Sequence, residues 1–420
     1  MASGADRIGA LPDEVLHHVL SFLPAHEAVW TCLLGRRWRH LWRSAPALRV
    51  TGVRGCEDPR WFVRFVDNLL LCRHPRRAPR LLGHRPPRAR LRFQPDFLSG
   101  LREPRQPVAP SRAAVPSSGA RARVLRLSIS CHLYTIDWLD GDGMPFRLPD
   151  VPIISQHLTR LHLDFVALTS SALDLSGCPA LVDLSLKRCE IFGNLSSPSL
   201  KHLTITEETG FQVGPFRVRI YAPNLVSLDL SGFTLRTPIL GSMPLLVSAT
   251  VKLTWWCSDI CESTGYGDRG YPLCSCNVIG ADDGRGESIL LKGLSDVTVL
   301  DLSVHSEVFA VNRDIKLNPT FWKLKTLLLS EWCPGSTPDL ELLTFFLQHS
   351  PVLEKLTIHI SKVPKPRVKI VRSYEPLDHS FACTHLKAIV IKFENVDLRV
   401  QRIFDILITY DIPLELVNFQ

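Results

Sequence analysis

An apolar template of the form L-x-x-L-x-L recurs along the chain and limits the folds available to it. The template fits ten segments, the first being Val124, Leu127 and Ile129 and the last ending at Ile391. Five consecutive starts, at 158, 181, 200, 225 and 246, lie 19 to 25 residues apart. A single short unit cannot bury its own apolar side chains, so successive units have to stack. Separate strands of a sandwich would leave this regular spacing unexplained.

The spacing is typical of leucine-rich repeats, whose period is about 20 to 29 residues. One unit extends the pattern further, because Leu181 to Ile191 reads LVDLSLKRCEI, or L-x-x-L-x-L-x-x-C-x-I. We therefore predict an α/β fold in which short strands form a curved parallel sheet and helical or irregular segments return to its start. Residues 123–380 are assigned to this solenoid.

Alternate side chains of a strand point to opposite faces, so the residues between the template leucines are predicted to line the concave face. They are polar and of mixed sign, which suits a polypeptide partner better than a polyanion. For any single one of them, an ordinary solvated surface position is the alternative. The predicted residues are Arg160, His162, Asp164, Asp183, Ser185, Lys187, His202, Thr204, Thr206, Ser227, Asp229, Ser231, Val299, Asp301, Ser303, Lys355, Thr357 and His359.

A compact apolar module precedes the repeats, between Leu11 and Trp42, with the sequence LPDEVLHHVLSFLPAHEAVWTCLLGRRWRHLW. Its periodicity predicts three helices, the first opening at Pro12 and ended by Pro24. So small a module buries little by itself and tends to leave apolar surface for a partner; a generic bundle or a cap on the next domain is the alternative. The apolar positions are Val15, Leu16, Val19, Leu20 and Leu23, then Val29, Cys32 and Leu33, then Trp38, Leu41 and Trp42.

The basic charge of the chain is concentrated in one segment rich in arginine and proline. Between residues 72 and 123 there are thirteen arginines and two acids, a net charge of +11, so the remainder carries about −3 of the total of +8. Dense proline and repelling like charges predict a mobile linker at 72–122. Contact with nucleic acid or the nuclear import machinery is the alternative.

Other sequence patterns indicate the cellular compartment of the protein. No apolar run reaches the roughly 18 residues of a membrane span, and the first ten residues lack the apolar core of a signal peptide. We expect a nuclear or cytoplasmic protein whose twelve cysteines are mainly buried free thiols.

Two clusters have the residue types of metal sites. Cys257, Cys261, Cys274 and Cys276 lie in a long interruption of the repeats and could bind zinc, but neither pair has the common C-x2-C spacing, and a flexible loop is the alternative. The acids Asp137, Asp140, Asp142 and Asp150 do not have the offsets of a calcium loop. No catalytic motif is present. We expect neither a metal nor another cofactor, and no enzymatic activity.

The N-terminal module resembles the F-box motif as it occurs in plant F-box/leucine-rich-repeat proteins. The resemblance is carried by Leu11 to Leu16, by SFLP at Ser21 to Pro24, by Ala28, by Cys32-Leu33 and by Arg36-Arg37-Trp38. The stretches FLQHSPVLEKLTI (346–358) and FACTHLKAIVIKFENVDLRVQRIFDILITY (381–410) are similar to the end of the same family, which carries an FBD segment. The chain is thus divided into an F-box (6–48), a connecting helix (49–71), the linker (72–122), the repeats (123–380) with a cysteine-rich insertion (about 255–290), and an FBD-like segment (381–420).

The resemblance implies a substrate receptor of a cullin-RING ubiquitin ligase. The F-box would dock on a Skp-type adaptor, and through it on a cullin, while the repeats hold the protein to be ubiquitinated and catalysis is left to the partners. A repeat scaffold outside any ligase and a basic nucleic-acid-associated protein are the alternatives. The residues expected to supply the adaptor surface and the small core beneath it are Leu11, Pro12, Val15, Leu16, Val19, Leu20, Val29, Cys32 and Leu33.

Overall fold

The computed structural model describes the N-terminal module, most of the repeats and the C-terminal segment. The described residues are 8, 10–51, 122–128, 146–148, 150, 152–211, 217–253, 288–304, 311, 314–315, 317–332, 337–360, 385–394, 396 and 398–420. The predicted linker, apart from Ala122, lies outside them. So do the four cysteines of the insertion, Cys257, Cys261, Cys274 and Cys276, and the acids Asp137, Asp140 and Asp142.

The N-terminal module contains three short α-helices. They are α1 (Asp13–Leu20), α2 (Ala25–Trp30) and α3 (Trp38–Leu41), with 3₁₀ helices at Thr31–Leu33 and Trp42–Ser44. Pro12 and Pro24 stand directly before α1 and α2, where a missing N–H costs nothing. The sequence had suggested that Pro24 ends the first helix. Instead, α1 ends at Leu20, and Pro24 precedes α2.

A parallel sheet of twelve strands dominates the described part of the chain. Every pair of neighbours is parallel. In sheet order the strands are β1 (Ala47–Thr51), β2 (Val124–Ser128), β4 (Arg160–Asp164), β6 (Asp183–Lys187), β9 (His202–Thr206), β12 (Ser227–Leu230), β15 (Ser248–Leu253), β16 (Val299–Val304), β17 (Thr326–Trp332), β18 (Lys355–Ile360), β19 (Ala388–Lys392) and β20 (Val417–Phe419).

Shorter strands and helices return the chain between the long strands. A five-stranded parallel sheet is formed by β3 (Phe146–Arg147), β5 (Val166–Leu168), β7 (Glu190–Ile191), β10 (Thr209–Phe211) and β13 (Phe233–Leu235). A three-stranded one is formed by β8 (Leu195–Ser196), β11 (Arg219–Tyr221) and β14 (Ile239–Leu240). The return helices are α4 (Ser170–Leu173), α5 (Thr337–His349) and α6 (Leu398–Thr409), and a 3₁₀ helix at Leu414–Leu416 precedes β20. Large parallel sheets with helices are the α/β class that was predicted.

The template leucines form the core. In the nine units from Leu158 to Ile391, every template residue is at most 7% exposed. The intervening residues of the same strands are half-buried or exposed, apart from a few in β16 and β17. The regular period therefore reflects one strand per unit, each adding its apolar side chains to the same layer.

The first unit is shifted by two residues from the prediction. Val124 pairs with Arg160 and lies outside the core, whereas Leu125 and Leu127 pair with Leu161 and Leu163. The core triplet of this unit is thus Ala122, Leu125 and Leu127, not Val124, Leu127 and Ile129. Because apolar residues stand at both Val124 and Leu125, alternation alone could not fix the register.

Strand β1 joins the N-terminal module directly to the sheet. Residues 49–51 were assigned to the start of a connecting helix, but they lie in this strand, because Leu48 and Val50 alternate as buried residues with outward-facing neighbours. Arg49 ties the strand back to the module, since its Nε donates to the carbonyl oxygen of Ser21 at 2.8 Å and its backbone bridges to Pro24. One continuous apolar core runs from Leu16 in α1 into the sheet. Residues 52–71 lie outside the described part.

No helix in the described part of the chain is both long enough and apolar enough to span a lipid bilayer.

Candidate interaction surfaces

Helix α1 divides its apolar residues between the core and the surface. Leu16 and Leu20 are each only 1% exposed, whereas Val15 and Val19 are 42% and 48% exposed. The predicted stripe is therefore two adjacent stripes, one packed against the module and one facing outward. Of the other residues predicted to form the adaptor surface, Leu11, Pro12 and Leu33 are exposed, while Val29 and Cys32 are half-buried.

Four further apolar residues of the module are exposed and were not among the predicted ones. They are Ile8, Phe22, Trp30 and Leu34, each more than half exposed. The sequence carried a signal for the last three, because each has an apolar neighbour, as Leu34 has in Leu33, and two adjacent residues of a helix cannot both face a narrow core. We define the exposed apolar set as Ile8, Leu11, Val15, Val19, Phe22, Trp30, Leu33 and Leu34.

Arg37 connects the segment before α3 to the start of α1. Its Nη2 lies 2.5 Å from Oδ1 of Asp13 and 2.5 Å from the carbonyl oxygen of Leu11, and its Nε donates to the same carboxylate at 3.0 Å. Beneath this contact Trp38 and Trp42 are buried. Arg37 thus ties the start of α1 to the start of α3, while much of the apolar surface of the module stays exposed.

The second surface is the face of the twelve-stranded sheet opposite the template leucines, which we call the outer face. The residues predicted for the concave face all lie on strands of this sheet, except Ser231, which directly follows β12. They are half-buried or exposed, except Ser303, which is buried. One row in register contains Arg160, Asp183, His202, Ser227, Val299 and Lys355. A second contains His162, Ser185, Thr204, Asp229, Asp301 and Thr357, and a third contains Asp164, Lys187 and Thr206.

Several charged residues of the outer face pair with each other. Arg160 lies 2.9 Å from Asp183 on the next strand. Asp164 accepts from the Arg188 guanidinium at 2.7 Å and from the Ser128 hydroxyl at 2.8 Å. Exposed pairs of this kind stabilise a fold by about 1 kcal/mol or less.

The turn residues that follow the strands complete the pattern. Lys187 lies 2.7 Å from Glu207, which belongs to the turn after β9. Arg188 and Glu207 both have positive φ, of 47° and 54°, and these turns carry their side chains back to charges on the strands. Strand alternation alone could not reveal these partners.

Two histidines of the outer face have lowered pKa values. Burial lowers the pKa of His162, and the nearby Arg126 guanidinium lowers it further. Burial also lowers the pKa of His359, as does Lys392, while Asp301 opposes the shift. Both imidazoles are therefore mainly neutral near pH 7, and each can donate one hydrogen bond and accept another.

Within the described ranges, no group of three or more histidine, cysteine or acidic side chains is placed to hold a metal ion. The buried thiols of Cys178 and Cys189 point to backbone carbonyl oxygens, of Ile153 at 3.2 Å and of Lys187 at 3.1 Å. Burial raises the pKa of Cys189 to about 12, so that it stays a thiol. These two cysteines pack in the core, as the sequence had suggested.

Comparisons with known proteins concern first the module and then the whole chain. The F-box domain family model matches residues 8–49. A putative FBD-associated F-box protein of Arabidopsis thaliana is 32% identical over 271 residues, 59% of this chain and 60% of the relative. A putative F-box/FBD/LRR-repeat protein of the same plant is 29% identical over 262 residues, 59% of each chain.

A rice relative, named MEIOTIC F-BOX protein MOF, from Oryza sativa subsp. japonica, is 28% identical over 418 residues, 92% of this chain and 80% of the relative. The matched stretch spans less than two thirds of the length of the two Arabidopsis relatives. No solved structure gives a significant match.

Proposed function

We propose that this chain, an F-box protein with leucine-rich repeats and an FBD-like C-terminal segment of the plant type, is the substrate-recognition subunit of an SCF-type cullin-RING ubiquitin ligase. The observation that carries the proposal is the match of the F-box model to a module that leaves eight apolar residues exposed. Contiguous exposed apolar surface on a small module is typical of a protein-binding site. The partner that an F-box domain implies is a Skp-type adaptor, and through it a cullin.

In this proposal the exposed apolar set makes the adaptor contact and the buried leucines of α1 support it. Val15 and Val19 supply surface, whereas Leu16 and Leu20 hold the helix against α3 and the 3₁₀ turn that follows. The predicted adaptor-binding residues thus have two different roles, which mutations can separate.

The repeats form a solenoid whose outer face holds the target protein. Its mixed charges and its two neutral histidines offer donors and acceptors at fixed strand spacing, which suits a folded or extended polypeptide. In this proposal the chain is a receptor subunit and not itself an enzyme, and ubiquitin transfer is carried out by the partner assembly. We place the protein in the nucleus or cytoplasm, where buried thiols such as those of Cys178 and Cys189 remain reduced.

The experiment is co-purification with a Skp-type adaptor, using a double variant with Val15→Ser and Val19→Ser. Both side chains are about half exposed, so burying them against a partner contributes about 1 kcal/mol each. We expect affinity for the adaptor to fall about thirtyfold, since 1.4 kcal/mol corresponds to tenfold.

Val247→Ser is the matched control, because Val247 is also 48% exposed but precedes β15, far along the sheet. Its adaptor affinity should equal that of the wild-type chain. Unchanged binding by the Val15/Val19 variant, with its circular dichroism intact, would refute the assignment. Changing Leu16 and Leu20 to Ala should instead unfold the module, because each buried leucine contributes about 2 to 5 kcal/mol.

A further inference from the structure

Three basic side chains stand side by side at the end of the sheet next to the F-box module. Arg49 on β1 pairs in register with Arg126 on β2, and Arg126 pairs with His162 on β4. Neighbouring strands are about 4.8 Å apart, so these residues form one line across three strands on the outer face. Arg126 is exposed, and the other two are half-buried. We call this line the cationic row.

The acids nearest to the cationic row already have other partners. Asp183 pairs with Arg160 at 2.9 Å, and Asp164 pairs with Arg188 at 2.7 Å. The ion pairs found among the described residues leave Arg49 and Arg126 without an acidic partner. The hydrogen bond that Arg49 makes goes to a neutral carbonyl oxygen, that of Ser21. Among the described residues, the positive charges of Arg49 and Arg126 are therefore not neutralised by an acid.

Like charges directly opposite each other on neighbouring strands destabilise a sheet. The same repulsion acts on His162, because burial lowers its pKa most and Arg126, Arg160 and Arg49 lower it further, while Asp183 opposes the shift. The sheet tolerates this repulsion between Arg49 and Arg126, and an anion placed between Arg126 and the neutral His162 would relieve it. Arg and His N–H groups also make the strong, charge-assisted hydrogen bonds that carboxylate and phosphate oxygens accept.

We propose that the cationic row binds a short acidic segment of the target polypeptide. The proposal rests on the proposed function, because it names the class of target that the repeats select. A carboxylate or phosphate group lies between Arg126 and His162, with Arg49 beside it.

The rest of the same row argues against a long polyanion. Further along it stand the carboxylates of Asp229 on β12 and Asp301 on β16. Strand β12 is four strands from β2, or about 19 Å. A nucleic acid lying along the row would meet these acids, whereas an extended peptide of about six residues can place acids at one end and neutral or basic residues at the other.

The test measures binding of labelled peptides to the full chain, with and without its adaptor, by fluorescence anisotropy. The probe is a fluorescein-labelled Gly-Ser peptide with three central glutamates. Comparison probes carry phosphoserines or lysines at the same places, and single-stranded oligo(dT) serves as the polyanion. The variants are Arg126→Glu and the milder Arg126→Gln. Lys392→Glu is the matched control, because Lys392 is an exposed base on the same face, far away on β19, and is not among the residues predicted to bind the target.

We expect the acidic peptides to bind, the lysine peptide not to bind, and Arg126→Glu to weaken binding at least tenfold while Lys392→Glu leaves it unchanged. Arg126→Gln should give a smaller loss in the same direction. Binding should also weaken as salt is raised from about 0.05 to about 0.15 M. A preference for phosphoserine over glutamate identifies a phosphorylated target segment, and equal binding identifies a carboxylate one.

Several results would overturn the proposal: no binding of either acidic peptide, an equal loss in both charge-reversal variants, or tighter binding of oligo(dT) than of the peptides. Binding that appears only after Asp137, Asp140 and Asp142 are changed to Asn would assign the row to acids of this chain itself. Adaptor binding is scored separately. Its loss with peptide binding intact counts against the ligase role alone, and the reverse counts against the cationic row alone.

Discussion

Asp314 provides the sharpest test of how the repeats are held together. Its side chain is fully buried and accepts four hydrogen bonds. The donors are the hydroxyl of Ser288 at 2.8 Å and the backbone N–H groups of Ile289 at 2.7 Å, Leu290 at 2.6 Å and Leu291 at 2.8 Å. These donors belong to residues 288–291, which precede β16 in the chain, and the apolar side chains of this segment are buried. One carboxylate thus satisfies a whole turn of buried backbone.

Changing Asp314 to Ala leaves three buried N–H groups and a hydroxyl without their acceptor. An unsatisfied buried donor costs about 1 to 3 kcal/mol, and partial rehydration of the turn lowers the sum. We expect the free energy of unfolding to fall by about 4 to 6 kcal/mol, a large part of the stability of an ordinary domain. Asp314→Asn keeps the shape but replaces an acceptor oxygen with an NH₂ donor, so a loss of about 1 to 3 kcal/mol is expected.

The assay is urea unfolding followed by circular dichroism, together with hydrogen exchange of the amides of Ile289, Leu290 and Leu291. Asp296→Ala is the control, because this acid, whose side chain is 36% exposed, pairs with the exposed Lys323 at 2.6 Å and should contribute about 1 kcal/mol or less. The reasoning is refuted if Asp314→Ala loses less than about 1 kcal/mol, or if Asp296→Ala is equally destabilising.

Two further predictions concern the module and the outer face. Gly35→Ala should stabilise the protein by about 0.4 to 1 kcal/mol in thermal unfolding, because an added Cβ meets only Trp38 at 3.9 Å and restricts the unfolded chain. Gly193→Ala should destabilise the protein, because its Cβ would clash with Ser170, and equal effects of the two substitutions would contradict this account. His162, with its lowered pKa, binds protons less readily in the folded than in the unfolded chain. The contribution of His162 to the free energy of unfolding is therefore complete above pH 6.5 and is lost as the pH falls from 6.5 through the lowered pKa. An NMR titration should show the pKa of His162 rising in Arg126→Gln, and an unchanged pKa would contradict the role given to Arg126.

Much of the fold could be predicted because the repeat is a local pattern with a global consequence. Each template unit contributes one strand, so the order of strands in the sheet follows the order of units, and alternation then identifies the outer face. The pattern failed where it was ambiguous. Val124 and Leu125 are both apolar, and only pairing with β4 decides which of them enters the core.

The candidate surfaces were harder to predict, for a different physical reason. A helical stripe shows which residues are apolar but not how wide an arc its neighbours cover, so Val15 and Leu16 looked equivalent although one is exposed and the other buried. Contacts between residues that are distant in the sequence also could not be predicted from local patterns. The bond of Arg37 to Asp13 joins residues 24 apart, and those of Asp314 join residues up to 26 apart.

Strand β1 has a consequence for geometry. It belongs to the module and to the sheet at once, with Arg49 bound to Ser21 on one side and paired with Arg126 on the other. In the described part of the chain, the exposed apolar set and the first strands of the sheet are therefore joined through β1 without a hinge. Under the proposed function, a captured protein is therefore held at a fixed distance and orientation relative to the adaptor. Which lysine of that protein receives ubiquitin then depends on where the lysine lies relative to the ligase, and not only on the affinity of the protein for the repeats.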